Sequence, residues 1–549
     1  MSGEPNGWPR SAKPLSICVI GWAKLSSQQR EGSGYNLSAS ELASGLTLSG
    51  HKVCYLRSGM DYTVFGGMRI EHVETWRGVE CHSLINSPNL AISRYNFRNQ
   101  EKEISCPEQT RLVMHWLESQ RVEVVHVHSL EGLSLDLLPA IKASGRKLVV
   151  TLHNHWYVCP QVDLLRNEAG VCHDYEGGKA CENCISATAP EVEIRNRKLQ
   201  ALAWATLGPN SAKFMREARS ALGRLKHRSL TGREVKTTND GLDPSMLCVD
   251  PEVGPPLAAP GECRGNEGAR VVSQPRDANE ELLGKTHHLA VLDHYGNRRL
   301  AGLAALAHAD RVIGPSRFIT DVLVSMGFPQ EKCKFVPYGQ PHFDALRRVA
   351  RGHTYYDKRP WNAATLDRPL RIGFLGTVFP NKGLEVLTRA IPLLAQDVRQ
   401  SCHFVIRAFG DDSSFRHRLA PYPEVSFLGG YRYEELASIH RDFDVAIVPH
   451  IWMENAPLVM LELLNSGKFM IISRLGGVVD FIREHGENGC GNGVYFNGAD
   501  ADDLASTISR VVRGEVIVPS PKEVHAVSEN LLSYVEHVKR IEDVYHSQA

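Results

Sequence analysis

Short apolar runs alternate with amphipathic stretches of helix length, and the chain does this twice. Before residue 155 the runs LSICVIGWA, HKVCYLRS, VEVVHVHS and KLVVTLHN are separated by the helical patterns NLSASELASGLTLSG and LDLLPAIKASG. From Arg371 the alternation starts afresh with RIGFLGT, LEVLTRAIPLLAQ, CHFVIRAFG, VSFLGG, YEELASIHRD, FDVAIVPH, PLVMLELLNSG, FMIISRLGG and DADDLASTISRVV. Continuous apolar strands joined by helices specify parallel sheets covered on both faces. Such open sheets bind ligands beyond the carboxyl ends of their strands, so two of them imply a cleft.

The chain has 549 residues, and at roughly 150 residues per domain it must be multi-domain. An N-terminal unit is expected over 1–345, with a cysteine-rich loop at 155–185 and an insertion at about 186–300. RVIGPSRFITDVLVSMGFP and KCKFVPYGQ complete that unit, 346–370 serve as linker, and 371–520 form the second unit. Residues 521–549 are expected to return as a helix onto the first. Apolar residues make up 42% and charged residues 23%, which excludes a mainly disordered chain. Lys plus Arg balances Asp plus Glu, 62 against 62, so no global field draws the chain to nucleic acid or an anionic membrane. The first apolar run, between Pro14 and Lys24, is too short for a secretory signal, and none approaches the roughly 18 residues of a membrane span. A cytoplasmic protein is expected.

Chemistry concentrates in three loops of the second unit. Glu454 follows the strand FDVAIVPH, and Glu462 lies eight residues on, upon the next helix. Both can face one cleft, although the same pattern suits two solvated carboxylates. Asn455, Ala456, Pro457 and Leu458 form the turn that opens this helix, whose free N–H groups and positive dipole end suit a diphosphate. In FLGTVFPNKGLEVL a strand is expected to end at Leu375. Gly376 there permits close approach, and Lys382 with Gly383 opens the next helix, where an ammonium neutralises a phosphate leaving group. Gly476 and Gly477 follow the strand FMIIS and allow contact with a ligand or simply form a turn. In the first unit Gly32, Ser33 and Gly34 precede a helix without completing a dinucleotide fingerprint. His126 and His128 lie on one strand, and His153 ends the next.

Of 13 cysteines, Cys18, Cys54, Cys333 and Cys402 sit in or beside apolar runs and read as small buried hydrophobes. Cys159, Cys172, Cys181 and Cys184 instead give C-x12-C-x8-C-x2-C within 26 polar residues, which suits a structural Zn²⁺ knuckle near His153. His155 and His173 are substitute ligands, and free thiols or two disulfides are the alternatives.

Taken together, 15–185 and 305–515 resemble the retaining glycosyltransferases of family four, with the most specific likeness from Trp452 through Glu462 into ISRLGG. The resemblance implies the GT-B fold, an α/β architecture of two facing Rossmann-like, doubly wound domains, here with a helical insertion in the first. It implies transfer from a nucleotide-diphosphate-sugar to an acceptor hydroxyl with retention and without a catalytic metal. By the same resemblance Glu454 contacts the donor sugar, Glu462 the ribose, and Lys382 the diphosphate. His153 approaches the sugar and acceptor, the Gly32–Gly34 loop lies near the diphosphate, and a cysteine-rich loop marks a bacterial branch. The family's arginine after the loop glycine is replaced by Thr377, leaving Arg317, Arg407, Arg474 or helix dipoles to substitute. Tyr338 stands where the family often has asparagine.

The insertion carries eleven Lys or Arg against two Glu between Arg195 and Lys236, with Phe214, Ala218, Ala221, Leu222 and Leu225 on one helical face. It reads as a solvated lid, or as a peripheral contact with an anionic membrane carrying a lipid-linked acceptor. The rival functions are a GT-B phosphorylase or epimerase and a non-catalytic sugar-nucleotide-binding scaffold. A nucleic-acid knuckle is disfavoured by the balanced charge. The acceptor, whether sugar, lipid-linked or small molecule, is not specified by the sequence.

Overall fold

A computed structural model describes residues 8–27, 33–167, 170–187, 189–208, 294–364, 368–485 and 491–547. Gly32 and the basic face from Phe214 to Leu225 lie outside the described residues.

The first lobe contains β1 (Ser16–Gly21), α1 (Ser33–Leu48), β2 (Lys52–Ser58), β3 (Arg69–Trp76), β4 (Val79–Ile85), β5 (Val124–Val127) and β6 (Lys147–Thr151). The cysteine-rich loop adds a small hairpin, β7 (Leu165–Arg166) and β8 (Gly170–Val171), before β9 (Arg311–Gly314), α2 (Arg317–Ser325), β10 (Cys333–Phe335) and α3 (Pro341–Arg351). One eight-stranded sheet runs β10-β9-β6-β5-β1-β2-β4-β3, parallel except for β3. That antiparallel edge was not expected from the sequence, because RIEHVETW mixes charge into its apolar positions and most of its side chains stay at least partly exposed. Ser33 and Gly34 fall inside the first turn of α1, so the helix begins two residues earlier than a Gly-Ser-Gly segment preceding it would allow.

The second lobe contains β11 (Leu370–Thr377), α4 (Leu384–Leu393), β12 (Cys402–Phe409), β13 (Val425–Phe427), β14 (Val445–Val448), α5 (Leu458–Asn465), β15 (Phe469–Ser473) and β16 (Gly493–Phe496). Its six strands are parallel in the order β13-β12-β11-β14-β15-β16. β11 runs two residues beyond Leu375, pairing Gly376 with Ala408 and Thr377 with Phe409. A helix, α6 (Tyr534–His546), then lies against α1: a Cβ on Gly45 would meet the Val538 side chain. His51 Nε2 meets Glu542 at 2.7 Å, and the Tyr545 hydroxyl meets His126 Nδ1 at 2.7 Å.

The lobes also share packing at the cleft floor. Met453 and Leu475, both from the second lobe, are buried in the first lobe's core with Leu152, Phe318 and Ile319. Phe343 of α3 is buried in the second lobe's core. The N-terminus of α2 is held from both sides, by its own Ser316 and by Asp480 of the other lobe, whose carboxylate accepts from the Arg317 N–H at 2.6 Å.

Candidate active site

Two strand ends of the second lobe meet here. β11 leads through a short 3₁₀ turn (Pro380–Lys382) into α4, and β14 leads through the loop bearing Glu454 into α5. The Lys382 ammonium contacts the buried Glu454 carboxylate and lies 5.4 Å from the centre of the Trp452 ring. Burial acts to raise the Glu454 pKa, but Lys382 and His450 outweigh it and hold the acid ionised below its ordinary value. Asn381 Oδ1, Thr377 Oγ1 and His450 Nδ1 are buried nearby in the chain without a hydrogen-bond partner. Unsatisfied buried polar atoms call for an explanation, and a bound polar ligand supplies one.

The glycine pair shapes the Glu454 backbone. Gly476 has φ 75°, and a Cβ on it would stand 2.0 Å from the Glu454 carbonyl oxygen. A Cβ on Gly477 would stand 2.0 Å from the Asn455 carbonyl oxygen and 2.3 Å from Ser316 Oγ. The Gly477 N–H donates to the Glu454 carbonyl at 2.7 Å, which fixes the loop. Gly476 is therefore required by packing on the Glu454 loop of its own lobe, and Gly477 by packing on that loop and on Ser316 of the first lobe.

Asn455 does not open toward solvent as a helix-start residue would. Ser316 Oγ donates to its Oδ1 at 2.6 Å, and its Nδ2 donates to the Leu152 carbonyl at 2.8 Å. It is a bridge between lobes. Ala456 is buried, and Pro457 and Leu458 form the α5 start. Glu462, one helical turn into α5, accepts from His342 Nε2 at 3.1 Å and lies within electrostatic reach of Tyr431 and Tyr433.

From the first lobe, His153 comes to the cleft with both ring nitrogens engaged. Nε2 meets His128 Nδ1 at 2.8 Å, and Nδ1 meets the Tyr338 hydroxyl at 2.8 Å. The Tyr338 ring stacks on it at 9°. Burial and the neighbouring His537 push its pKa down to about 3, so the imidazole is neutral. Both ring nitrogens of His153 are thus committed to His128 and Tyr338.

None of the proposed replacement arginines pairs with Lys382's partners. Arg317 faces Asp480 at 3.5 Å, Arg407 faces Asp442 at 3.9 Å, and Arg474 lies over Tyr495. The four loop cysteines lie within electrostatic reach of one another, yet among the described residues no group of three or more His, Cys, Asp or Glu is arranged to hold a metal ion. Arg299, buried among Cys159, Cys172 and Cys181 and stacked 3.3 Å over Tyr175, already brings a positive charge there and opposes a second cation. Burial pushes the Cys159, Cys172 and Cys181 thiols up, Cys172 to about 12.

The sequence left Asp163 unnoticed. It lies in the cysteine-rich loop, and its carboxyl is within electrostatic reach of Lys382, Glu454, Arg94 and Glu131. Nothing in the local pattern separates it from other polar loop residues.

Residues 369–513 match the family model described as Glycosyl transferases group 1. Glycogen synthase of Cellvibrio japonicus is 29% identical over 157 residues, 27% of this chain and 32% of its own length. The chain thus aligns with about a third of that relative. Among solved structures, an α,α-trehalose-phosphate synthase (UDP-forming) from Burkholderia xenovorans in complex with glucose-6-phosphate has a TM-score of 0.50 at 12% identity. HepE of Anabaena in complex with UDP also has 0.50, at 11% identity. Each comparison covers 97% of this chain and 100% of the other. The fold is GT-B.

Among the described residues no helix is long and apolar enough to cross a membrane.

Proposed function

We propose that the chain is a retaining glycosyltransferase that moves a sugar from a nucleotide diphosphate to an acceptor hydroxyl. The observation that carries this reading is the meeting of Lys382 and Glu454, brought from two strand ends of the domain that matches the group 1 family to the floor of an interlobe cleft. Lys382 and the free N–H groups at the start of α5 address the diphosphate leaving group, where anions are favoured. Glu454, kept ionised, faces the donor sugar, and Glu462 with His342 holds the ribose hydroxyls. Gly376 and Thr377 at the end of β11 and Gly34 of α1, a Cβ on which would stand 3.1 Å from Leu458 Cδ1, complete the donor side.

Retention needs the acceptor oxygen to reach the face that the diphosphate leaves. Acceptor oxygen bonds to the anomeric carbon as the carbon–oxygen bond to diphosphate breaks, the electron pair departs with the diphosphate, and its oxygen takes the hydroxyl proton. No covalent intermediate on Glu454 is required. Cytoplasmic action, with the basic insertion as a peripheral membrane contact, belongs to the same proposal. A zinc-bound form of the cysteine loop would need its sulfurs drawn together. One zinc per purified chain supports that form, and metal-free protein supports Arg299 as the only cation there.

The test is nucleotide release from UDP-, ADP- and GDP-sugars by the full chain, with and without sugar acceptors, and with anomeric analysis of product. UDP is the first to try, since a fold neighbour was crystallised with it. Glycoside with retained configuration supports the reading. Phosphate-dependent cleavage or donor isomerisation supports the phosphorylase or epimerase, and binding without turnover supports the scaffold.

A further inference from the structure

An acid that the donor chemistry does not use holds the first turn of α2 from across the cleft. Asp480 ends the 3₁₀ turn Gly476–Asp480 of the second lobe. Its carboxylate accepts from the Arg317 N–H at 2.6 Å and the Phe318 N–H at 3.3 Å, and the Arg317 guanidinium stands 3.5 Å away. These N–H groups are among the donors that a helix start leaves without an internal partner, and the helix dipole favours a carboxylate there. The Asp480 side chain is 10% exposed and that of Arg317 54%, so the backbone amides, not the guanidinium, make the protected half of the contact.

The same turn of α2 is gripped a second time. Ser316, its N-cap, accepts from the Ile319 N–H at 3.4 Å and donates through the same hydroxyl to Asn455 Oδ1 at 2.6 Å. Asn455 Nδ2 in turn donates to the carbonyl of Leu152, the residue before His153, at 2.8 Å. Within the second lobe the Gly477 N–H donates to the Glu454 carbonyl at 2.7 Å, which ties the Asp480 turn back to the neighbour of Asn455. The contacts therefore close on themselves, from Asp480 through the first turn of α2 to Asn455, Glu454 and Gly477. Two of the links cross between lobes, and Glu454 takes part only through its backbone, so its carboxylate stays with Lys382.

We infer that Asp480 is a positioning residue for Glu454: by holding the first turn of α2 from the donor lobe it keeps Ser316 on Asn455, and Asn455 keeps the Glu454 loop docked beside the strand end that carries His153. Asp480 touches no reacting group and acts through α2. Its value to the reaction rests on the glycosyltransferase reading above. There, the acid of one lobe must meet the strand end of the other in one register, and a displacement of about 1 Å costs up to about 10²-fold in rate. The closed set of contacts does not depend on that reading.

The test compares the full chain as wild type, Asp480→Ala, Asp480→Asn and Ser520→Ala. Asparagine caps a helix start about as well as aspartate, so Asp480→Asn keeps the acceptor and removes the charge. Ser520→Ala removes the cap of the helix Pro521–Val527, whose Pro521 packs on Gly467 just before the amino end of β15, away from the cleft. Amide hydrogen exchange is followed over 314–325 and 452–458. In Asp480→Ala both segments should exchange about fivefold faster or more, because the freed amides open and the closed contacts pass the loosening on. Asp480→Asn should return both segments toward wild type, and Ser520→Ala should leave both unchanged. Faster exchange over 314–325 alone means that Asp480 only caps a helix and overturns the inference, as does no change in either segment.

Turnover is measured with UDP-, ADP- and GDP-glucose, and UDP affinity by calorimetry. Asp480→Ala should lower kcat about tenfold or more while UDP affinity changes by less than about threefold, the pattern of a loss felt in the transition state. Asp480→Asn should recover most of the rate, and Ser520→Ala should keep all of it. Wild-type turnover in Asp480→Ala despite a loosened 452–458 overturns the inference, and so does an equal loss in Ser520→Ala, which assigns the effect to general stability. Wild type that cleaves none of these donors overturns the glycosyltransferase reading, and the exchange result alone then decides whether Asp480 holds the Glu454 loop.

Discussion

Lys382 and Glu454 form an ion pair between two residues 72 positions apart. On the glycosyltransferase reading a donor diphosphate competes with Glu454 for the Lys382 ammonium, and the pair couples leaving-group binding to the charge beside the sugar.

Replacing Glu454 by Gln releases that ammonium. Nucleotide diphosphate should bind severalfold tighter, by about 1 kcal/mol or less, because Lys382 no longer has an anionic rival. Transfer should nonetheless fall by roughly 10²–10³, the scale of losing one preorganised electrostatic group at a reacting centre. Calorimetry with UDP and initial-rate assays read the two effects separately, and their opposite directions are the diagnostic.

Gly477→Ala places a methyl group against the Asn455 carbonyl and Ser316 Oγ, both in cross-lobe contact. Neither neighbour is a flexible chain end, so the lobes must part. Overpacking of this kind costs about 1–3 kcal/mol. A lower thermal midpoint and a larger radius of gyration by small-angle scattering are expected, with weakened donor binding as the consequence.

Buried neutral histidines make the protein acid-sensitive. Burial, joined at His126, His440 and His537 by neighbouring basic groups, lowers His126 and His440 to about 3 and His155 and His537 to about 4. The unfolded chain takes protons on these rings near pH 6.5, whereas the folded chain does not until far lower pH. Stability from this source is complete above about pH 6.5 and declines as pH falls toward 4, by up to about 1.4 kcal/mol per pH unit for each ring. Thermal midpoints from pH 8 to 4.5 should be flat at first and then drop steeply. A midpoint independent of pH would contradict the buried neutral assignment.

Asp444, with its side chain fully buried, accepts from Arg368 at 2.7 Å and from Arg371 at 3.0 Å, and these cations hold its pKa down despite burial. Asp444→Asn removes the buried anion that both guanidinium groups share, and since each of these is more than a third open to water the loss is about 1–3 kcal/mol. Chemical denaturation should show that loss without a change in donor specificity, since the pair lies at the amino ends of the strands, away from the cleft.

The doubled α/β grammar was legible because parallel strands buried on both faces read as continuous apolar runs, and Glu454, Lys382 and Gly476–Gly477 were legible because they sit just past such runs. What distinguishes the site from those markers is three-dimensional. Asn455 looks like an ordinary helix-start residue in sequence, and only the approach of Leu152 and Ser316, about 300 and 139 positions away, makes it a bridge. His153 was visible as a strand-end histidine, but its capture by His128 and Tyr338 was not. The cysteine spacing reads as a metal knuckle, and spacing carries no trace of Arg299, which arrives from beyond the insertion within electrostatic reach of the same thiols.

Met453 and Leu475, sunk into the opposite lobe's core, give the cleft a fixed seam at its floor. Any breathing of the two halves must pivot there, so displacement is smallest beside Glu454 and grows toward the rim. On the glycosyltransferase reading, substrates enter and leave by the outer mouth, while the end held at Lys382 and Glu454 moves least.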